Sequence, residues 1–141
     1  MIVKFIGEMK GKFKETYKKY GYNEDTDFGL TVNKNYKVYG ITTINKDQLF
    51  LICQDHFDGI YINFPRYFPR FYFEIIDGSL SNYWLLHFKI DRYDNNEEVL
   101  EIGIPPIVED PFFYGNLVEG VPENAKIFLK FKKLIDQESM K

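Results

Sequence analysis

The chain has 141 residues, of which 45% are hydrophobic and 28% charged, which is typical of a globular protein of one domain. Aromatic residues make up 18%, and this favours strands because aromatic side chains fit pleated, half-buried surfaces. The single cysteine, Cys53, excludes an internal disulfide and suits a reducing compartment. The first apolar run ends at Gly7, too short for a signal peptide, and no apolar run approaches the ~20 residues of a membrane span. We therefore expect a cytoplasmic protein.

The charge is unevenly distributed along the chain. The net charge is −3, but residues 1–20 carry +4, residues 21–125 carry −10 and residues 126–141 carry +3. An acidic middle disfavours nucleic acid as a partner, because phosphate binding depends on Lys and Arg. It suits a basic protein partner, because opposite fields speed encounter, and it equally suits a protein that only needs to stay in solution.

The first elements in chain order are a short strand and an ambiguous lysine-rich segment. Residues 2–6 are predicted as a strand. The apolar spacing over residues 8–20 favours a helix, whereas Gly11 and the many lysines favour a loop, so both interpretations stay open. A polar, acidic connector follows over residues 22–27.

Six further strands are indicated by β-forming residues and by alternation of apolar and polar positions. The first two form a hairpin across a turn, and every position from Leu49 to Cys53 is apolar, so both faces of the second strand should be covered. Pro65 and Pro69 exclude a central strand between them, because proline removes a donor from the hydrogen-bond ladder. The strands are predicted over 36–44, 48–53, 60–64, 71–76, 83–91 and 99–104.

Alternation is clearest in the strand over residues 83–91. One face carries His87, which should meet solvent, and Lys89. The other face is apolar and consists of Trp84, Leu86, Phe88 and Ile90. In the last strand, we expect Leu100, Ile102 and Ile104 to point inward.

Two helices are predicted after the strands. Asp110 can cap a short helix over 110–118, with Pro111 at its first position, and a longer amphipathic helix covers 122–136. The whole pattern predicts an α+β fold that is mainly β. We expect a small antiparallel, partly open barrel-like sheet, SH3-like or similar, because short strands must cover their edges, with the C-terminal helices packed on it.

We interpret residues 1–141 as a single domain. Its parts are an N-terminal strand and irregular segment (1–27), a β body (28–104) and a helical C-terminal segment (105–141).

Residues that could support catalysis or metal binding form no recognisable site. The segment 55–58 offers Asp55, His56 and Asp58 as ligands but no fourth at a metal-site spacing. Cys53 or Ser81 with His87 lacks the local signature of a catalytic nucleophile. Adjacent acids occur at 97–98 and 109–110, in predicted turns, where carboxylates are usually solvated. A glycosidase-type site instead needs two carboxyl groups facing each other across a cleft. We therefore predict no catalytic, cofactor-binding or metal-binding residues and no enzymatic activity.

One segment has the composition of a nucleic-acid-binding surface. Arg66–Phe73 interleaves two arginines with aromatic residues, and single-strand binders stack bases on exposed aromatics beside arginine. A nucleic-acid-binding small β-barrel is therefore an alternative function. Packing of these aromatics in the core and at its rim is the other interpretation of the same residues.

Three stretches carry a resemblance to a known family. They are LTVNKNYKVYGI at 30–41, FEIIDGSLSNYW at 73–84 and EDPFFY at 109–114. Together they resemble small bacterial immunity proteins associated with polymorphic toxins, including contact-dependent growth-inhibition systems. The resemblance covers roughly residues 28–136. It implies a cytoplasmic protein that binds one cognate toxin domain, often a nuclease, and neutralises it.

The resemblance assigns no contact residues, so candidates come from residue character. Toxin nucleases are commonly basic, and acidic and aromatic side chains in predicted turns would occlude such a partner. The candidate partner-binding residues are Asp55, Asp58, Tyr61, Tyr67, Tyr93, Asp94, Glu97, Glu98 and Glu101. Neither the oligomeric state nor the toxin's identity follows from the sequence.

Overall fold

The computed structural model describes residues 1–7, 27–44, 46–57, 60–61, 64–91 and 97–138, without the side chains of residues 57, 60, 61, 90, 91 and 97. In these residues the chain is an α+β protein, mainly β, with antiparallel sheets followed by C-terminal helices. The strands are β1 (Ile2–Phe5), β2 (Asn35–Lys37), β3 (Gly40–Ile44), β4 (Asp47–Cys53), β5 (His56–Phe57), β6 (Ile60–Tyr61), β7 (Pro65–Pro69), β8 (Phe73–Asp77), β9 (Leu85–Asp91) and β10 (Glu97–Gly103).

The strands divide between two main sheets. A three-stranded sheet has the order β2-β1-β8, and a five-stranded sheet has the order β7-β4-β3-β10-β9. The short strands β5 and β6 pair only with each other among the described residues. The α+β class with C-terminal helices is confirmed, and over the described residues the strands do not close into a barrel.

Three helices follow the last strand: α1 (Pro105–Glu109), α2 (Phe113–Val118) and α3 (Pro122–Asp136). The prediction of α3 is confirmed at both ends. The prediction of one helix over 110–118 is wrong at its start, because Asp110 ends α1 and its carboxylate accepts a hydrogen bond from the Phe112 amide at 2.9 Å. Pro105 starts α1, which suits the fixed φ of proline at a first helical position.

Two hydrophobic cores lie on opposite faces of the five-stranded sheet. Alternate residues of β4 enter them, because successive side chains of a strand point to opposite faces. Phe50 and Ile52 pack in the core between the two sheets, and Leu51 and Cys53 pack in the core beneath the helices. Positions 49–53 are all buried, so the prediction that both faces of this strand are covered is confirmed.

Several sequence predictions need correction. The segment 36–44 is not one strand, because it changes sheets after Lys37: β2 pairs with β1, and β3 pairs with β4 and β10. The predicted strand over 60–64 is reduced to Ile60–Tyr61. The segment 65–69 is an edge strand, as the prolines at its ends permit. The possible helix over 8–20 lies outside the described residues.

The smaller sheet covers only part of the larger one. A row of cross-strand neighbours runs from Phe68 through Phe50, Ile41 and Ile102 to Leu86. The first three are buried, Ile102 is half-buried and Leu86 is 67% exposed. Since neighbouring strands lie about 4.8 Å apart, three strands cannot span the width of five. The face of β9 therefore extends beyond the shared core.

A tight approach between two loops depends on Gly29. Its φ is +67°, and the amides of Asp55 and His56 donate to its carbonyl at 2.8 and 3.2 Å. Nearby, the side-chain amide Nε2 of the buried Gln54 donates to the backbone carbonyl of Phe28 at 3.0 Å. These bonds join the segment before β2 to the end of β4.

Gly29→Ala should lower the free energy of unfolding by at least about 2 kcal/mol. Left-handed backbone costs a residue with a Cβ roughly 1–2 kcal/mol, and an ideal Cβ here would lie 2.0 Å from the carbonyl oxygen of His56. Urea unfolding measures the change. The control is Gly115→Ala in α2, whose Cβ would meet no atom within 4 Å; it should be neutral or stabilising by up to about 1 kcal/mol. Equal effects of the two substitutions would contradict this account.

Candidate protein-binding surface

Asp55, a predicted contact residue, is the centre of an internal hydrogen-bond network. Lys34 Nζ donates to Oδ1 at 2.6 Å, Thr31 Oγ1 donates to Oδ2 at 2.9 Å, and the Tyr36 hydroxyl also donates to Oδ2. The Asp55 side chain is 20% exposed. Burial alone would raise its pKa, but the bonds from Lys34, Tyr36 and Thr31 hold the pKa below its usual value. The Asp55 carboxylate therefore stabilises the fold through these hydrogen bonds.

Tyr67 is half-buried and packs against the core beneath the helices. Its ring packs edge-on against Tyr114 of α2 with a centroid separation of 4.7 Å, and its backbone N–H donates to the Tyr114 hydroxyl at 3.2 Å. Burial raises the pKa of Tyr67, with smaller contributions from Glu101 and Tyr114. Tyr67 thus attaches α2 to the edge strand β7.

Glu101 is also turned inward. Its side chain is 16% exposed, and one oxygen lies 3.3 Å from Lys89 Nζ on the neighbouring strand. The other oxygen, Oε2, is buried without a hydrogen-bond donor among the described residues. Burial raises the pKa of Glu101, and Lys89 and His87 oppose that shift only in part.

The structure describes only some of the remaining predicted contact residues. Glu98 is exposed on β10. Tyr61 lies in β6 and Glu97 in β10, but their side chains are outside the description. Asp58, Tyr93 and Asp94 lie outside the described residues. Of the four candidates whose side chains the structure describes, Asp55, Tyr67 and Glu101 are engaged within the fold and Glu98 is exposed.

The aromatic residues of the Arg66–Phe73 segment mostly face inward. Phe68, Tyr72 and Phe73 are buried in the core between the sheets, and Phe71 packs against that core. These rings are not available as a row of stacking faces for bases. The nucleic-acid alternative stays a prediction that lacks support from this segment's aromatics.

The structure also gives the surroundings of the three residues considered for nucleophilic catalysis. Cys53 is buried, and burial raises the pKa of its thiol to about 12, so it is protonated at neutral pH. The Ser81 hydroxyl is buried and accepts a hydrogen bond from the Tyr83 amide at 3.1 Å. His87 is exposed, as predicted. Among the described residues no group of three or more His, Cys, Asp or Glu could hold a metal ion.

An exposed apolar surface lies on β9 and β10, and we call it the β9 face. Leu86 is 67% and Phe88 61% exposed. Phe88 pairs across the strands with the half-buried Leu100, and Glu98 lies two residues from Leu100 on the same side. Adjacent large side chains at such exposure are typical of interaction sites. The β9 face consists of Leu86, Phe88, Leu100 and Glu98.

Leu86 and Phe88 share one face of a predicted strand, but they are not among the predicted contact residues. Alternation shows which side chains share a face, and it contains no information on whether another layer covers that face. The missing quantity is the width of the smaller sheet, which depends on long-range strand pairing. Among the predicted contact residues with a described side chain, Glu98 lies within the β9 face.

In the described parts of the chain, no helix combines the length and the apolar character needed to cross a membrane.

Asp55→Asn should destabilise the protein by about 2 kcal/mol at neutral pH, because bonds to a charged acceptor are worth about 1.5–3 kcal/mol. The pKa of Asp55 is lowered by folding, so its contribution is complete above the unfolded pKa of about 4 and is lost as pH falls through the folded pKa. The deficit of the variant should therefore shrink in acid. Urea unfolding at several pH values tests this, with the exposed Glu109→Gln as control. A deficit independent of pH would contradict it.

Glu101→Gln should stabilise the protein at neutral pH by up to about 1 kcal/mol, because a neutral amide avoids burying a charge. The pKa of Glu101 is raised by folding, so wild type loses stability as pH rises from the unfolded pKa, about 4.3, through the folded pKa. The gain should vanish below that range. Thermal unfolding against pH measures it, with Glu98→Gln on the same strand as control. A less stable Glu101→Gln variant would mean that the Lys89 ion pair outweighs desolvation.

Comparison with known proteins identifies no relative. No family model matches the sequence, and neither a curated protein nor a solved structure matches it.

Proposed function

We propose that this chain is an immunity protein that binds a cognate bacterial toxin, a nuclease domain, in the cytoplasm and neutralises it by occluding its surface. The observation that carries the proposal is the β9 face, where Leu86 and Phe88 expose most of their side chains to solvent on neighbouring positions of one strand face. Apolar residues held on a rigid sheet are suited to binding a macromolecule.

The charge distribution supports a protein partner. Residues 21–125 carry a net −10, which would accelerate encounter with a basic toxin nuclease. Glu98 contributes acidic character to the β9 face itself. Asp55 and Glu101 are engaged within the fold, so the proposal places the contact on the β9 face instead of on those two acids.

The resemblance to immunity proteins of polymorphic toxins supplies the class of partner. A toxin and its immunity protein are encoded side by side, so the candidate partner is the product of the neighbouring upstream gene. The proposal assigns no bond-making step to this chain, because neutralisation follows from binding alone.

The test is capture of that gene product by the purified protein, with Phe88→Ser as the variant. Loss of one aromatic anchor that contributes about 2 kcal/mol of binding free energy should raise the Kd roughly 30-fold. Isothermal titration calorimetry measures the Kd. The matched control is Phe112→Ser, which removes a 73% exposed aromatic at the start of α2. Absence of a toxin gene beside this one, or equal binding by the two variants, would overturn the proposal.

A further inference from the structure

We propose that the partner docks by adding an extended strand to the outer edge of β9, so that the five-stranded sheet continues into the partner. This inference rests on the proposed function for the identity of the partner, and it adds the mode of binding and the local chemistry of the partner segment. An exposed edge offers a row of backbone donors and acceptors that another strand can pair with.

The two edges of the five-stranded sheet differ in protection. The edge strand β7 begins and ends with proline, and its Tyr67 amide already donates to the Tyr114 hydroxyl. Proline and covering side chains are common ways to block strand addition. β7 is therefore a poor site for a partner strand.

The other edge strand, β9, is longer than β7. Its seven residues, Leu85–Asp91, contain no proline, and its register with β10 is continuous over seven pairs without a bulge. In the described chain no strand pairs with its outer side. At about 3.3 Å per residue, it offers roughly 23 Å of edge to a partner.

The side chains of β9 define the chemistry of the added strand. On one face, Leu86 and Phe88 would contact apolar side chains of the partner. On the other face, His87 is exposed and Lys89 retains 30% side-chain exposure beside Glu101. Cross-strand neighbours of opposite charge are favourable. The complementary segment therefore alternates apolar residues with carboxylates.

Charge also argues against a second copy of this chain as the occupant. An antiparallel pair centred on Phe88 would align the apolar side chains of two copies. In that register His87 of one copy would face Lys89 of the other, twice, so neither Lys89 would have a carboxylate opposite it. A partner strand with carboxylates at those positions avoids this juxtaposition.

The probe is a capped seven-residue peptide of alternating valine and glutamate, followed by amide hydrogen exchange and chemical-shift changes in NMR. Strand addition should slow exchange of outward-facing β9 amides and leave those of β7 unchanged. A valine–lysine peptide should bind at least tenfold more weakly. His87→Glu, a change at an exposed position, should reverse this preference. N-methylation of the peptide on its pairing edge should abolish binding.

Three results would overturn the inference: no change at β9 with millimolar peptide, equal binding of the two peptides, or full binding of the N-methylated form. If the toxin is captured through Phe88 but β9 amides stay unprotected in that complex, strand addition fails and the proposed function stands. If the peptide adds to β9 but no toxin is captured, the proposed function fails and the strand-addition site stands.

Discussion

Burial of β4 on both faces is the constraint on which the rest of the structure depends. Positions 49–53 are all apolar and all buried, with alternate side chains in two different cores. A strand of this kind requires a covering layer on each side, because a solvated face would expose large apolar side chains. The three-stranded sheet provides one layer and the helices provide the other. The three-layer arrangement is thus a direct consequence of one apolar run.

Much of the fold could be predicted where the signal is local. The β3–β4 hairpin and α3 have turn residues, alternation or an amphipathic stripe within a few positions, and both form as predicted. The division of residues 36–44 between two sheets could not be predicted. It depends on β1 and β10 as pairing partners, and these lie far away in the sequence. Local patterns identify strands but do not choose their neighbours.

Less of the candidate surface could be predicted. Acidic and aromatic character selected Asp55, Tyr67 and Glu101 as contact residues, yet each interacts with a partner on another element of the fold. Conversely, the alternation of β9 resembles that of any half-buried strand. Its exposure results from the difference in width between two sheets, so Leu86 and Phe88 became candidates only when the layers were known.

The order of strands in the larger sheet also affects how the chain is made. β10 lies between β3 and β9, and β8 pairs with the N-terminal β1, so neither sheet can be completed early in synthesis. During translation one apolar face of β4 is bare until β8 completes the smaller sheet, and the other is bare until the C-terminal helices have left the ribosome. Long-range pairing of this kind slows folding and exposes aggregation-prone surface. The nascent chain therefore exposes apolar surface for much of its synthesis, and its yield in cells should depend on elongation rate.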